Sequence, residues 1–371
     1  MRRHPREMLE LVRRLHRQGV ATEADLRLLL PRMAGGAGEL WRQDLTIGLE
    51  TVAGTAVPTT HRMYGDVAKK AGFTRVRPPH LMDVMTGTRD NQRDIKLRAV
   101  QIDGTFDQPI SPDENLEIFA ATFSSGVVPT ISGITGHQWV FTPNSTSSSP
   151  VDSQTWEWYD AARNWQIAGA MVDQLDMSGT VATDTALTAK LFGREMILNA
   201  ATTPAPAERL PDFLEGWEAK VYIDAIGATP GTTEAPSTVT AYSLTFKNNL
   251  GRKYFADNTI QLGEVVVGTM GLHATITMEA ASSYAAAEYA HWEANEHRLI
   301  RLELGNNEVI GAGPAKKLIQ IDIPAGWTAA DLTPEDAQTK VYKFEADYIY
   351  DPTNAFGCRV TAINGRTAMY A

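Results

Sequence analysis

Trp217-Glu218-Ala219-Lys220-Val221-Tyr222-Ile223-Asp224-Ala225 sets Trp217, Ala219, Val221, Ile223 and Ala225 on one side of an extended chain and Glu218, Lys220, Tyr222 and Asp224 on the other. That is the pattern of a half-buried strand. The same two-residue period returns at Tyr242, Leu244 and Phe246, at Leu272 to Met278, at Ile300 to Leu304 and at Ile319 to Ile323. Tyr342, Phe344, Ala346, Tyr348 and Tyr350 extend it once more, with Lys343, Glu345 and Asp347 on the opposite face. Turns rich in Gly, Pro, Asn and Asp separate these runs, so the expected fold is mainly β, with antiparallel sheets packed as a sandwich or closed as a barrel.

Two stretches break the alternation. Ser111-Pro112-Asp113-Glu114 opens a helix with Leu116, Phe119 and Phe123 on one side, and Ser282-Ser283 opens another with Ala285, Tyr289 and Trp292. They lie about 171 residues apart, and other features repeat at a similar interval. The strand at Ala99 to Phe106 answers Leu272 to Ala280, Leu45 to Thr55 answers Val221 to Thr232, and Gly193-Arg194 answers Gly365-Arg366. We read an internal duplication: two tandem antiparallel β-sandwich domains, residues 42–200 and 214–371, each with one short α-helix, joined by a linker at 201–213. Within the first, residues 57–93 read as a long loop.

Residues 1–41 form an N-terminal helical arm ending in a Gly-rich linker. Met8, Leu11, Val12 and Leu15 make one amphipathic stripe and Leu26, Leu29 and Leu30 a second, before Ala34-Gly35-Gly36-Ala37-Gly38. The arm is basic. Of 34 basic and 44 acidic side chains, nine arginines and five carboxylates lie in residues 1–42, leaving 25 basic against 39 acidic in the rest. A body so acidic repels nucleic-acid phosphates, and the two arm helices are too loosely spaced for a helix-turn-helix reader, so the arm reads as a packing or docking element. No apolar run approaches the roughly 18 residues of a membrane span, and no secretory apolar core is seen, so we expect no membrane partner and an origin inside the cell. One cysteine, Cys358, cannot make an intrachain disulfide.

The common chemical motifs are missing. Phosphate-binding glycine loops, a nucleophile elbow and a paired-histidine zinc helix are not found. His291 and His297 are six apart, about 240° around a helix, and cannot share an ion from one regular helix. Asp173 with Asp176, or Glu345 with Asp347, reads as a wet strand face rather than an acid–base pair. Trp156 and Trp158 share a strand face and read as core or subunit packing, with a sugar platform as the rival. Cys358, in line with Phe356 and Val360, reads as a buried thiol. No catalytic residue, cofactor or metal is expected.

Leu49-Glu50-Thr51-Val52-Ala53-Gly54-Thr55-Ala56-Val57-Pro58-Thr59-Thr60-His61-Arg62 is similar to the E-T-x-x-G-T-A-V-P-x-T opening of tail tube proteins from long-tailed, non-contractile bacteriophages. Leu175 to Thr180 with Leu187 to Gly193 resembles that family's late strand pair. The likeness covers residues 44 to 198, and the second half follows by element order alone.

The resemblance implies a structural virion protein of the tail tube, made in the bacterial host cytoplasm, that self-assembles into stacked rings. The family commonly places six one-domain copies in a ring, so two fused domains imply homotrimeric rings with pseudo-sixfold symmetry and a barrel of about twenty-four strands. It implies self-association, contacts with tape measure, tail terminator and tail tip proteins, and DNA passing through an acidic lumen during genome ejection without specific binding. Glu218, Lys220 and Asp224, or Lys343, Glu345 and Asp347, are the candidate lumen charges, and an outer wet face is the rival placement. Arg75, Arg77, Arg89 and Arg93 are the candidate contacts between rings. Alternatives are a capsid-decorating or head–tail joining β protein, or a carbohydrate-binding β-sandwich.

Overall fold

The computed structural model describes residues 44–65, 72–83, 92–124, 126–143, 151–159, 163–198, 211–336 and 338–370. The arm expected to be helical (residues 1–41), Arg89 and most of the 201–213 linker lie outside the described residues. The first half carries β1 (Asp44–Leu49), β2 (His61–Met63), β3 (Gly72–Val76), β4 (Pro79–Asp83), β5 (Gln92–Leu97), β6 (Gln101–Pro109), helix α1 (Leu116–Thr122), β7 (Thr130–Ser132), β8 (Gly136–Phe141), β9 (Gln154–Tyr159), β10 (Asn164–Thr180), β11 (Ala186–Gly193) and β12 (Glu195–Leu198). The second carries β13 (Ala219–Ala225), β14 (Val239–Lys247), β15 (Gly251–Lys253), β16 (Glu264–Val266), β17 (Gly271–Glu279), helix α2 (Ser283–Glu293), β18 (His297–Leu304), β19 (Leu318–Asp331), β20 (Glu335–Asp336), β21 (Thr339–Tyr348) and β22 (Arg359–Asn364). The fold is mainly β with antiparallel sheets.

One row of eight strands dominates. It runs β3, β6, β11, the C-terminal half of β10, β14, β17, β21 and the C-terminal half of β19. A second layer lies against its buried face in two parts. One part is β2, β1, β9, the N-terminal half of β10, and β12; the other is β13, β18, the N-terminal half of β19, β22, β8 and β7. β10 and β19 therefore belong to both layers and join them into one continuous, barrel-like network. Each changes layer beside a bulge, between Val172 and Gln174 and between Trp327 and Ala329, where the added residue bends and twists the strand.

The two halves repeat one pairing scheme. β3, β6, β11 and β10 in the first correspond to β14, β17, β21 and β19 in the second, and β1, β9 and β12 correspond to β13, β18 and β22. The residue interval is not constant, however. It is 171 between Glu117 in α1 and Glu288 in α2, but 143 between the starts of β9 and β18, because the β7–β8 hairpin is inserted in the first half alone. The Gly-Arg match also fails topologically: Gly193 ends β11, the counterpart of β21, whereas Gly365 follows β22. The halves share one continuous core that runs from Leu45 to Ala362.

Three further expectations change. Residues 57–93 are not a loop throughout, since β2, β3, β4 and the start of β5 lie there. Trp217 and Glu218 belong to a short 3-10 turn ahead of β13, and Trp217 is 66% exposed rather than facing the core. The Ser111 segment is a turn, with Asn115 at the start of α1. At α2 the expected start holds, because Ser282 Oγ accepts from Ala285 N at 3.0 Å.

α1 is buried along its whole length, and a buried ionic cluster fixes it. Glu117 meets the Arg366 guanidinium, which also donates to Asp113 O at 2.8 Å, and His61 Nε2 lies 3.1 Å from Glu114 and 3.7 Å from Glu117. Burial opposes the charge on Glu117, yet His61 and Arg366 hold its carboxyl below the ordinary range. A carboxylate depressed in this way stabilises the fold above its unfolded titration range, and the contribution disappears as pH falls below about 4.5. Glu117→Gln strands Arg366 in the core, so urea unfolding at pH 7 should show a loss of about 3 kcal/mol, and the wild-type advantage should vanish at low pH.

Candidate assembly surface

The eight-strand row has one face in the core and an opposite face that is open except around Phe192, which Leu250 and Leu262 cover. Strand alternation puts Leu187, Ala189, Leu175, Leu244, Ile276 and Phe344 inward and polar residues outward. Pairing then aligns the outward residues in rows across the strands. Asp107, Thr188, Asp176, Thr245, His273 and Asp347 occupy successive strands from β6 to β21. The regularly paired part of this face carries Asp103, Asp107, Asp176, Glu279, Asp331, Glu345 and Asp347 against Lys190, Lys247 and Lys343. Carboxylates outnumber lysines, so the face is acidic. Local pairs tie parts of it together: Lys190 with Asp176 at 3.4 Å, Lys343 with Glu345 at 2.7 Å, and His273 Nδ1 with Asp347 at 2.9 Å.

Both ends of the row are open. Among the described residues β3 pairs only with β6, and residues 327–331 of β19 pair only with β21. At the midpoint the equivalent positions are joined: β10 pairs with β14 from Gln174 opposite Lys247 to Thr180 opposite Ala241. The helices differ in the same sense. Every residue of α1 is buried, and Phe246 of β14 stacks on Phe123 at its end with ring centroids 4.6 Å apart, whereas in α2 only Ala285 and Glu288 are buried.

The family profile described as phage tail tube protein matches residues 41–360, across both halves. The chain belongs to the phage tail tube protein family. No curated protein matches it. Membership places the chain in a structural family of the virion tail, whose members assemble with themselves and with other tail proteins.

In this tail tube protein the two candidate lumen sets lie on different layers. Lys343, Glu345 and Asp347 stand on the open face of the eight-strand row, and the hydrogen bond and charge of Lys343 hold the Glu345 carboxyl low. Lys220 and Asp224 lie on β13 of the second layer, with Glu218 just before it, donating nothing to the row. Asp224 is only 3% exposed and accepts from Gly231 N at 2.8 Å, Thr233 N at 2.9 Å and Thr232 Oγ1 at 2.5 Å, so it fastens a turn. Arg75 is on β3, Arg77 follows that strand, and Arg93 is on β5.

The family opening earns its residues through a carboxylate that sequence reading left without a role. Glu50 is buried, and its two oxygens accept from Gly54 N at 2.7 Å, Ser153 Oγ at 2.5 Å, Thr155 Oγ1 at 2.8 Å and Gly169 N at 2.8 Å. Gly54 sits at φ 78°, where a Cβ would strike the Arg194 side chain, which accounts for the glycine. Asp224 does for the second half what Glu50 does for the first. The recurring phrase, a carboxylate followed by Gly-Thr and then Pro, was visible in sequence, but its hydrogen bonds were not.

The rival chemical readings find little in the tail tube fold. Trp156 is fully buried, edge-on to Phe73 and Phe106, and is closed to a sugar. Cys358 is fully buried, and burial pushes its thiol far up, with Asp322 adding to the effect. His291 binds Glu296 on the helix end while His297 begins β18. Among the described residues no group of three or more His, Cys, Asp or Glu is placed to hold a metal ion. Glu345→Gln and Asp347→Asn, both on the wet face, should each shift the melting temperature by no more than about 2 °C, whereas Glu50→Ala should lower it by several times that in the same scan.

Proposed function

We propose that three copies of this chain close a ring in which the eight-strand rows join edge to edge, β19 of each copy against β3 of the next, and that stacked rings form the hollow conduit for DNA ejection. The observation that carries this reading is the β10–β14 junction. It is one completed seam between repeats, and the chain ends its row in the same two edges that the seam joins. Exposed edges invite pairing with another chain, and closure into a barrel removes them. Three copies would give about twenty-four strands. Two domain-like repeats in one chain, with the first at 42–200 and the second at 214–371, fit a sixfold outline built from three molecules.

In this ring the open face lines the lumen. Its carboxylates, with Lys343, Glu345 and Asp347 among them, repel phosphate over about 8 Å at physiological salt, and so keep the passing genome from adhering. The chain needs no catalytic group for this, and works as a scaffold rather than an enzyme. Tape measure, terminator and tip proteins are the expected neighbours within the lumen and at the two tube ends.

Purified protein at rising concentration, seeded with tail tips, should give rings or hollow tubes in negative-stain electron microscopy, and light scattering should find a species of three times the 40.6 kDa chain. A persistent monomer under every condition would reject the reading. Tubes in which Glu345 and Asp347 are both replaced by Lys should retain double-stranded DNA at low salt and release it as salt is raised, while wild-type tubes retain none.

A further inference from the structure

The in-chain seam predicts the chemistry of the seam between copies, because the repeated pairing scheme gives each of its residues a counterpart. On the second-half side, Asn248 Nδ2 donates to Thr122 O at the C-terminal end of α1 and to Val172 O on β10, both at 2.9 Å. Beside it, Phe246 covers Phe123. The register of β14 on β17 and of β3 on β6 makes Thr245 and Thr74 equivalent, opposite His273 and Asp103 respectively. It follows that Arg75 takes the place of Phe246, Val76 that of Lys247 and Arg77 that of Asn248. On the other side, Thr122 and Phe123 correspond to Glu293 and Ala294 at the end of α2.

We propose that Arg75 and Arg77 of one copy close over the C-terminal end of α2 in the neighbouring copy, in the place that Phe246 and Asn248 take on α1 within the chain. The proposal rests on the ring reading above and gives its seam a specific chemistry. The charges match. α2 ends at the exposed Glu293 and is followed by the exposed Glu296, and the C-terminal end of its dipole carries partial negative charge. Arg75 is exposed on the core-facing side of the open edge, opposite the buried Ile102, and has no hydrogen-bond or ion-pair partner among the described residues. Among the described residues Arg77 makes a local contact, Nε to Arg98 O at 3.3 Å. Arginine near a helix C-terminus supplies donors to the last carbonyls, as Asn248 does to α1.

The hairpins that follow the two edge strands extend the equivalence. β15–β16 follows β14 and lies on the first half, where Arg252 binds Asp103 at 2.5 Å and Tyr254 donates to Val100 O at 3.1 Å. β4–β5 follows β3 in the same way, with Leu81 opposite Ile95 as Arg252 is opposite Val265. Leu81, Ile95 and Leu97 are 46%, 61% and 52% exposed. A second copy covers them as the first half covers β15–β16. This assigns the Arg75 and Arg77 region to the seam within a ring rather than to the contact between rings.

The test reverses charge on each side. Arg75→Glu with Arg77→Glu should raise the concentration at which rings form by at least about tenfold, and adding Glu293→Arg with Glu296→Arg to the same chain should recover most of that loss, because every seam then carries the swapped pair. Circular dichroism and melting of the monomer monitor folding, which should stay intact because Arg75, Glu293 and Glu296 are exposed and the half-buried Arg77 makes only a local contact. As a second measurement, Val76→Cys with Ala329→Cys, opposed at the seam as Lys247 is to Gln174, should yield disulfide-linked dimers and trimers on oxidation of assembled protein. Rings from the reversed-charge chain at the wild-type concentration would overturn the arginine seam while leaving the ring reading in place, whereas no cross-link in assembled rings would overturn the β19–β3 pairing on which both rest. Failure of the wild-type chain to form rings would remove both.

Discussion

Edge strands have backbone donors and acceptors that must find partners, and this chain meets that need for only half of its repeats. Where β10 faces β14, the backbone bonds of the two halves satisfy one another. From this junction follow the length of the row, the common core and the burial of α1 beneath Arg366 and Tyr370. Nothing equivalent covers α2 or the outer edges of β3 and β19 within the described residues. Among the described residues the row is joined in its middle and open at its ends.

Much of the fold was legible from alternation. β13, β17, β18 and β21 read correctly because each has a wet face and a buried face, so hydrophobic and polar residues alternate along it. Ser282 announced α2 through ordinary capping chemistry. The signal failed where one of those conditions was missing. The side chains described on β4 and β5 are all exposed, and β3 has only Phe73 well buried, so residues 57–93 showed no period. β10 changes layer at a bulge, which shifts its alternation midway. Alternation carries Trp217 inward with Ala219 and Val221, but the chain turns at Trp217, before the sheet begins.

The surface was less legible than the fold, for a related reason. Alternation identifies which residues share a face but says nothing about which layer that face belongs to. Lys343, Glu345 and Asp347 and the β13 set therefore looked alike in sequence and are separated by topology. Glu50 and Asp224 show the opposite error: a carboxylate among polar neighbours suggests exposure, yet both are buried hydrogen-bond acceptors that fasten turns. A single acidic residue gives no hint that the backbone will fold around it.

Duplication within one chain also lets the halves diverge. Among the described residues the β7–β8 hairpin occurs once and lies against β22, adding two strands to the second layer of one repeat and none to the other. A ring of three chains would bear this mark every third of a turn instead of every sixth. Stacked rings would then have three equivalent rotational settings, where a ring of six identical domains has six. In such rings the hairpin would act as a key: it would halve the ways in which one ring can be laid on the next, and would give the tail an angular phase that a near-sixfold barrel would otherwise lack.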